Sequence, residues 1–146
     1  MSTRNQDNSV RRGLRARLAA LWRRRNLDSG TSAGWIGVDL DGTLAEYDLW
    51  LGPEFIGEPV PAMLDRVRQW VSEGIEVRVV TARAGHPRHR RFVEIWLQRH
   101  GLGQLSVTDK KDYAMIELWD DRCVAVQTNR GEPLHAVPPR RQTKLP

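Results

Sequence analysis

The sequence predicts an α/β domain: a three-layer, Rossmann-like, doubly wound parallel sheet with no large cap domain. Three observations lead there. Strand-like and helix-like stretches alternate along the chain, as βαβ units require. The first strand reads as a continuous apolar run, which suits a sheet covered on both faces. Polar, chemistry-bearing residues cluster directly after the strands, at the edge where open parallel sheets bind ligands.

Taken in order, residues 1–9 are polar. From Val10 to Trp22 the apolar residues Val10, Leu14, Leu18, Leu21 and Trp22 recur on one helical face among arginines. Residues 1–33 are therefore expected to be a basic, flexible arm carrying an amphipathic helix, with Asn26 to Gly34 as linker. The folded domain is expected over 34–132. It opens with a short buried strand, Trp35 to Val38, that runs into Asp39, and Gly42 permits the sharp turn beyond. Ala45 to Pro59, broken by glycine, proline and aromatics, predicts a folded loop or small hairpin flap over the strand end. Pro61 suits a first helical position, Met63, Leu64, Val67, Trp70 and Val71 keep the helical period, and Gly74 stops it. Ile75 to Val80 is the second strand. Gly85 and Pro87 open a second helix carrying Phe92, Val93, Trp96 and Leu97, stopped at Gly101. Gln104 to Val107 reads as a third strand, and Lys110-Lys111-Asp112 as the start of a short helical segment. Ile116 to Trp119 is the next strand and Arg122 to Gln127 the last. Residues 133–146 are read as a tail.

With 146 residues the chain has room for one substantial core. Its net charge of +5 is unevenly placed: residues 1–33 carry +6, residues 138–146 carry +3, and residues 34–137 carry −4. The basic balance belongs to the ends, so charge alone does not make the folded part a nucleic-acid binder. The arm reads either as a solvated helix on a flexible leader or as a basic amphipathic helix that meets nucleic acid or an acidic membrane surface. No apolar run approaches the roughly 20 residues of a membrane span. The single cysteine, Cys123, excludes an internal disulfide and fits a reducing, cytoplasmic setting. Its strand-like surroundings predict an inert core thiol.

The chemistry is expected at the strand ends. Asp39 and Asp41 crowd two acids into one small space, which calls for a cation or a shared proton. A calcium loop of the EF-hand kind fails, because its sixth and twelfth positions would be Leu44 and Trp50 rather than Gly and Glu. Thr81 and Arg83 follow the second strand, Lys110 and Lys111 the third, and Asp120-Asp121 the fourth. His86, His89 and His100 lack zinc spacing with any cysteine. Arg88, His89, Arg90 and Arg91 are either a solvated helical face or an electropositive lip for a polyanion. Trp50 either stacks a base or pins its own loop.

The order Asp39-Leu40-Asp41-Gly42-Thr43, then Thr81, then a lysine, then Asp120-Asp121 resembles the four motifs of the haloacid dehalogenase superfamily, and it spans essentially the whole folded part. The resemblance implies a Mg2+-dependent phosphohydrolase acting through an aspartyl-phosphate, with Asp39 as nucleophile and Asp41 as general acid and base. It implies Mg2+ held by Asp39, the backbone carbonyl of Asp41 and an acid of Asp120-Asp121, with Asp121 as ligand and Asp120 orienting it. Thr81 and a lysine would hold the phosphoryl oxygens, with Lys111 preferred to Lys110. Thr43, Arg83 and Lys110 join the expected substrate contacts. An acid at position 41 points away from the dehalogenase branch. The short spacings leave no room for a cap, and capless members act on large substrates or borrow a lid from a second subunit, so an oligomer is compatible. A narrower likeness, to small phage and bacterial hydrolase-like proteins, implies a nucleotide or a nucleic-acid phosphate end as substrate. The competing expectation is a module that binds a phosphorylated ligand or nucleic acid without turnover.

Overall fold

The structure, a computed structural model, describes residues 34–137. The expected arm, 1–33, and residues 138–146 of the expected tail lie outside the described residues. Four strands form the sheet: β1 (Trp35–Asp39), β2 (Glu76–Val80), β3 (Ser106–Thr108) and β4 (Met115–Trp119). All pairings are parallel and the order is β3-β2-β1-β4. The continuous apolar character of Trp35 to Val38 follows from this order, since β1 is paired on both edges and these four residues are buried.

Two helices connect the strands. The first, α1 (Pro61–Ser72), begins with proline where no N–H bond is needed, and the second, α2 (Pro87–Arg99), does the same behind a His86 cap. Each ends in a Schellman turn. Gly74 and Gly101 take positive φ while Ile75 N–H donates to Trp70 and Leu102 N–H to Leu97. Met63 and Val67 of α1 and Val93, Trp96 and Leu97 of α2 share one core with Ile36, Val38, Val77, Val79 and Val107. Those strand residues all project from the same side of the sheet. Right-handed crossovers from β1 to β2 to β3 give the same result, because each step moves in one direction across the sheet. Both described helices therefore form one layer on one face. The second helical layer of a three-layer fold is not among the described residues, and the observed architecture is a parallel, Rossmann-like α/β sheet with two helices.

The 46–58 segment is the expected flap, closed at its base. Glu46 N–H donates to Glu58 O (2.8 Å) and Ala45 bridges Pro59. Gly57 is needed there because a Cβ would overlap the Glu46 carbonyl. The Trp96 indole N–H ties the flap to α2 through Gly57 O (2.9 Å).

Three expectations along the second half of the chain are corrected. Lys110-Lys111-Asp112 starts no helix. Asp112 Oδ1 accepts from Ala114 N–H (2.8 Å) in an Asx-type turn, and β4 begins at Met115, leaving no length for a helical turn. Residues 122–127 join no sheet. They fold back on themselves instead, with Val126 bridging Pro133 and Leu134 N–H donating to Ala125 O (2.8 Å) around a turn at Asn129 and Gly131. Pro133 and Leu134, at the start of the expected tail, supply the partners in this pairing. Cys123 accordingly is exposed rather than a core thiol. Among the described residues no helix is long and apolar enough to cross a membrane.

Candidate functional site

The site is built where β1, β2 and β4 deliver their last residues to one edge. After Asp39 the chain turns at once. Leu44 and Ala45 N–H groups return to Leu40 O (3.0 and 2.8 Å), which buries Leu40 and Leu44 and leaves the acids at positions 39 and 41 facing outward. Gly42 has φ +94°, and a Cβ on it would stand 2.8 Å from Asp121 Oδ2. The turn after β1 and the turn after β4 can approach this closely only with glycine there. Thr43 locks the same junction, its hydroxyl oxygen accepting from the Asp121 N–H at 3.0 Å.

Carboxylate oxygens of Asp39, Asp120 and Asp121 all lie within 4.8 Å of one another. Burial, followed by the charge of Asp120, pushes the Asp39 carboxyl up to about 7; the charges of Asp41 and Asp121 add to the rise, and the Leu40 backbone N–H opposes it. Acids sharing so small a space repel one another, and a divalent cation would relieve that repulsion in competition with a proton on Asp39. The all-oxygen donor set suits a hard cation such as Mg2+. This cluster of three aspartates could hold a metal ion. The Asp41 carboxylate stands outside it.

Asp39, Asp41, Thr81 and Asp120 line a single cavity of ≈ 200 Å³ together with Ala82, Tyr47 and Arg122. Thr81 is buried at the end of β2, held by its own N–H to Thr108 O (2.9 Å) and accepting from Arg83 N–H on its hydroxyl oxygen (3.3 Å). Arg83 lies behind Asp41 rather than in the cavity wall. Its Nε and Nη2 donate to the two Asp41 oxygens at 2.8 Å each, Nη1 to Pro53 O (2.8 Å) and Nη2 to Phe55 O (3.0 Å). Four of the five guanidinium N–H groups are thus engaged. Trp50 stacks on its plane at 4.5 Å, so one face of that indole is covered and the ring pins the flap.

Thr43 and Arg83 therefore sit around the cavity, fixing Asp121 and Asp41, and Asp121 joins the acidic cluster. Lys110 and Lys111 are both exposed and do not line the cavity. The Lys110 N–H is held by Thr108 Oγ1 at 3.1 Å. Lys111 acts on the Cys123 thiol, which burial and Asp120 push up and the lysine's charge pulls back. His89 is held below its ordinary range, by desolvation first and then by the charges of His86, Arg83 and Arg88. Tyr47 and Arg122 are site residues that the sequence reading passed over. The signals were present: an aromatic in the flap, and a cation one residue past the acidic pair.

Fold and site together define a Rossmann-like α/β protein with an acidic cluster at its strand ends. No protein-family model, curated protein or solved structure matches the chain.

Proposed function

We propose that this chain is a Mg2+-dependent phosphohydrolase of the haloacid dehalogenase type. The observation that carries the reading is the meeting of Asp39, Asp120 and Asp121 within 4.8 Å at the end of the sheet, in a cavity that Asp41 and Thr81 also line. Asp39, Asp120 and Asp121 would hold the cation, which cancels charge between an attacking carboxylate and a phosphate dianion. An Asp39 oxygen attacks phosphorus, the bond from phosphorus to the leaving oxygen breaks, and Asp41 gives that oxygen its proton. Asp41 then takes a proton from water, whose oxygen attacks phosphorus. The bond to Asp39 breaks and the free carboxylate returns with inorganic phosphate released. The bidentate grip of Arg83 keeps both Asp41 oxygens in one plane, an orienting role. Thr81 accepts from Arg83 N–H, which leaves its O–H to donate to a phosphoryl oxygen. Of the two lysines, Lys111 is the one whose charge acts on the Cys123 thiol, which Asp120 also raises; to hold phosphoryl oxygens it would have to reach in from outside the cavity lining.

A panel of phosphate monoesters assayed with Mg2+ and with EDTA tests the reading. Turnover is expected with Mg2+, none in chelator, and none for Asp39→Asn. Undiminished turnover in chelator, or in Asp39→Asn, sinks the mechanism. Tight binding of phosphate esters without turnover would make the chain a phospho-ligand binding module instead.

A further inference from the structure

The rim of the cavity carries two groups that the chemistry at Asp39 does not use, Tyr47 from the flap and Arg122 from the turn after β4. Among the described residues that line the cavity, Arg122 is the one lysine or arginine, and its side chain is exposed. Its backbone N–H donates to Asp120 Oδ1 at 2.7 Å, which roots the side chain beside the acidic cluster. Its guanidinium pairs with no carboxylate among the described residues. Its one ring contact, Tyr47 at 5.9 Å, lies at the outer limit of about 6 Å for a cation–π pair. Arg66, Arg78 and Arg83, by contrast, sit at 4.7, 4.3 and 4.5 Å over their tryptophans. Among the described residues, Arg122 is held at its root by Asp120, and its guanidinium meets only the Tyr47 ring.

The size of the cavity says what the tip meets. At ≈ 200 Å³ it falls below the roughly 300–1,000 Å³ of sites that enclose a small-molecule ligand. On the phosphohydrolase reading, a cavity of this size would take a phosphoryl group and leave the rest of a substrate at its mouth. A guanidinium there suits a second phosphate, which it binds through two parallel N–H donors. A tyrosine ring beside it suits a planar group laid on its face.

We propose that Arg122 and Tyr47 recognise the leaving group, and that the substrate is a phosphomonoester bearing a second phosphate and a planar ring next to the scissile group. A nucleoside bisphosphate and the phosphorylated end of a nucleic-acid strand share that chemistry. The inference rests on the phosphohydrolase reading for the scissile phosphate, while the rim contacts are measurable by binding alone.

Calorimetry on the full chain with Mg2+ present provides the test. Thymidine 3′,5′-bisphosphate, 3′-phosphorylated tetrathymidylate and inorganic phosphate are titrated into Asp39→Asn, which is expected to bind without turnover, and into the same protein also carrying Arg122→Ala, Arg122→Lys or Tyr47→Ala. Arg122→Ala is expected to weaken the bisphosphate about tenfold or more, and inorganic phosphate by a clearly smaller factor. Arg122→Lys restores part of the loss, and the loss shrinks as salt rises. Tyr47→Ala weakens both ring-bearing ligands by about fivefold or more. Tetrathymidylate binding more tightly than the bisphosphate supports the rim and identifies a strand end; equal binding supports it and identifies the small bisphosphate. Equal loss for bisphosphate and inorganic phosphate on Arg122→Ala, or no loss at all, overturns the proposal. Hydrolysis of p-nitrophenyl phosphate is read separately. Its absence in the unsubstituted protein strikes the phosphohydrolase reading, while the titrations still judge the rim.

Discussion

Asp39 concentrates the electrostatic strain of the molecule, because β1 delivers it into a half-buried position facing two further acids. Its carboxyl is raised from an ordinary 3.8 to about 7. Between those values the native state binds more protons than the unfolded chain, so this residue's contribution to stability falls as pH rises from about 4 to about 7. Asp39→Asn removes that dependence. Melting curves in EDTA across this window are expected to show the substituted protein gaining on the unsubstituted one as pH rises, then holding a constant lead. Added Mg2+ should raise the melting temperature of the unsubstituted protein above pH 7 and raise that of Asp39→Asn less. Parallel pH curves for the two proteins would show that Asp39 carries no raised carboxyl.

At the scale of elements, Arg83 joins three pieces of chain. It ends the run from β2, grips the acid that follows β1, and caps two carbonyls of the flap, all with a side chain only 3% exposed against 19% for Asp41. Arg83→Met leaves Asp41 without its partner and frees the Pro53 and Phe55 carbonyls. The expected cost is about 2–4 kcal/mol in denaturant unfolding, on the low side for a broken buried pair because Asp41 keeps some solvent. Hydrogen exchange of the flap amides should quicken by more than that of β1. Arg83→Lys is expected to rescue little, since an ammonium cannot reproduce the two-oxygen grip. Retention of full flap protection in Arg83→Met would show that the Trp96 bond to Gly57 and the base pairing at Glu46 hold the flap without it. A second tie acts at the opposite edge of the sheet. Asp112 accepts from the Trp35 indole (2.8 Å) and from Arg78 (2.9 Å), and its carboxyl is held below the usual range by the indole first. It anchors the connection from β3 to the start of β1.

For the whole molecule, charge and chemistry occupy different parts of the chain. Every proposed site residue lies between positions 39 and 122, within the 34–137 stretch of charge −4, while residues 1–33 hold +6. Replacing the eight arginines of 1–33 by glutamine is therefore expected to leave turnover of a small phosphate ester nearly unchanged. Binding to single-stranded DNA at low salt should weaken, and the slope of log K against log salt should fall by about 0.7 for each phosphate that the arm no longer neutralises. Assays at two salt concentrations on both kinds of ligand check this. A collapse of small-ester turnover would place the arm inside the catalytic machinery, and unchanged DNA binding would show that its charge meets no polyanion.

Features governed by neighbours a few residues apart were legible along the chain. The apolar run into Asp39, the proline starts and glycine stops of α1 and α2, and the placing of Thr81 and Asp120 directly after strands are all local signals, and the structure has them at those positions. Features that depend on residues distant in the chain emerged only from the folded contacts. Asp41 and Arg83 are 42 positions apart, and Trp35 and Asp112 are 77 apart; no periodicity foretells that either pair will meet. The apolar alternation of residues 122–127 was locally sound for a strand, yet a strand also needs a partner edge, and here the partner is the returning segment at Pro133. Lys110-Lys111-Asp112 offered a helix start, but β4 begins too soon for a helix, and Asp112 commits its oxygens to Trp35, Arg78 and Ala114. Which polar side chains face the cavity, and which stand behind it, is set by those long-range contacts and was legible only in three dimensions.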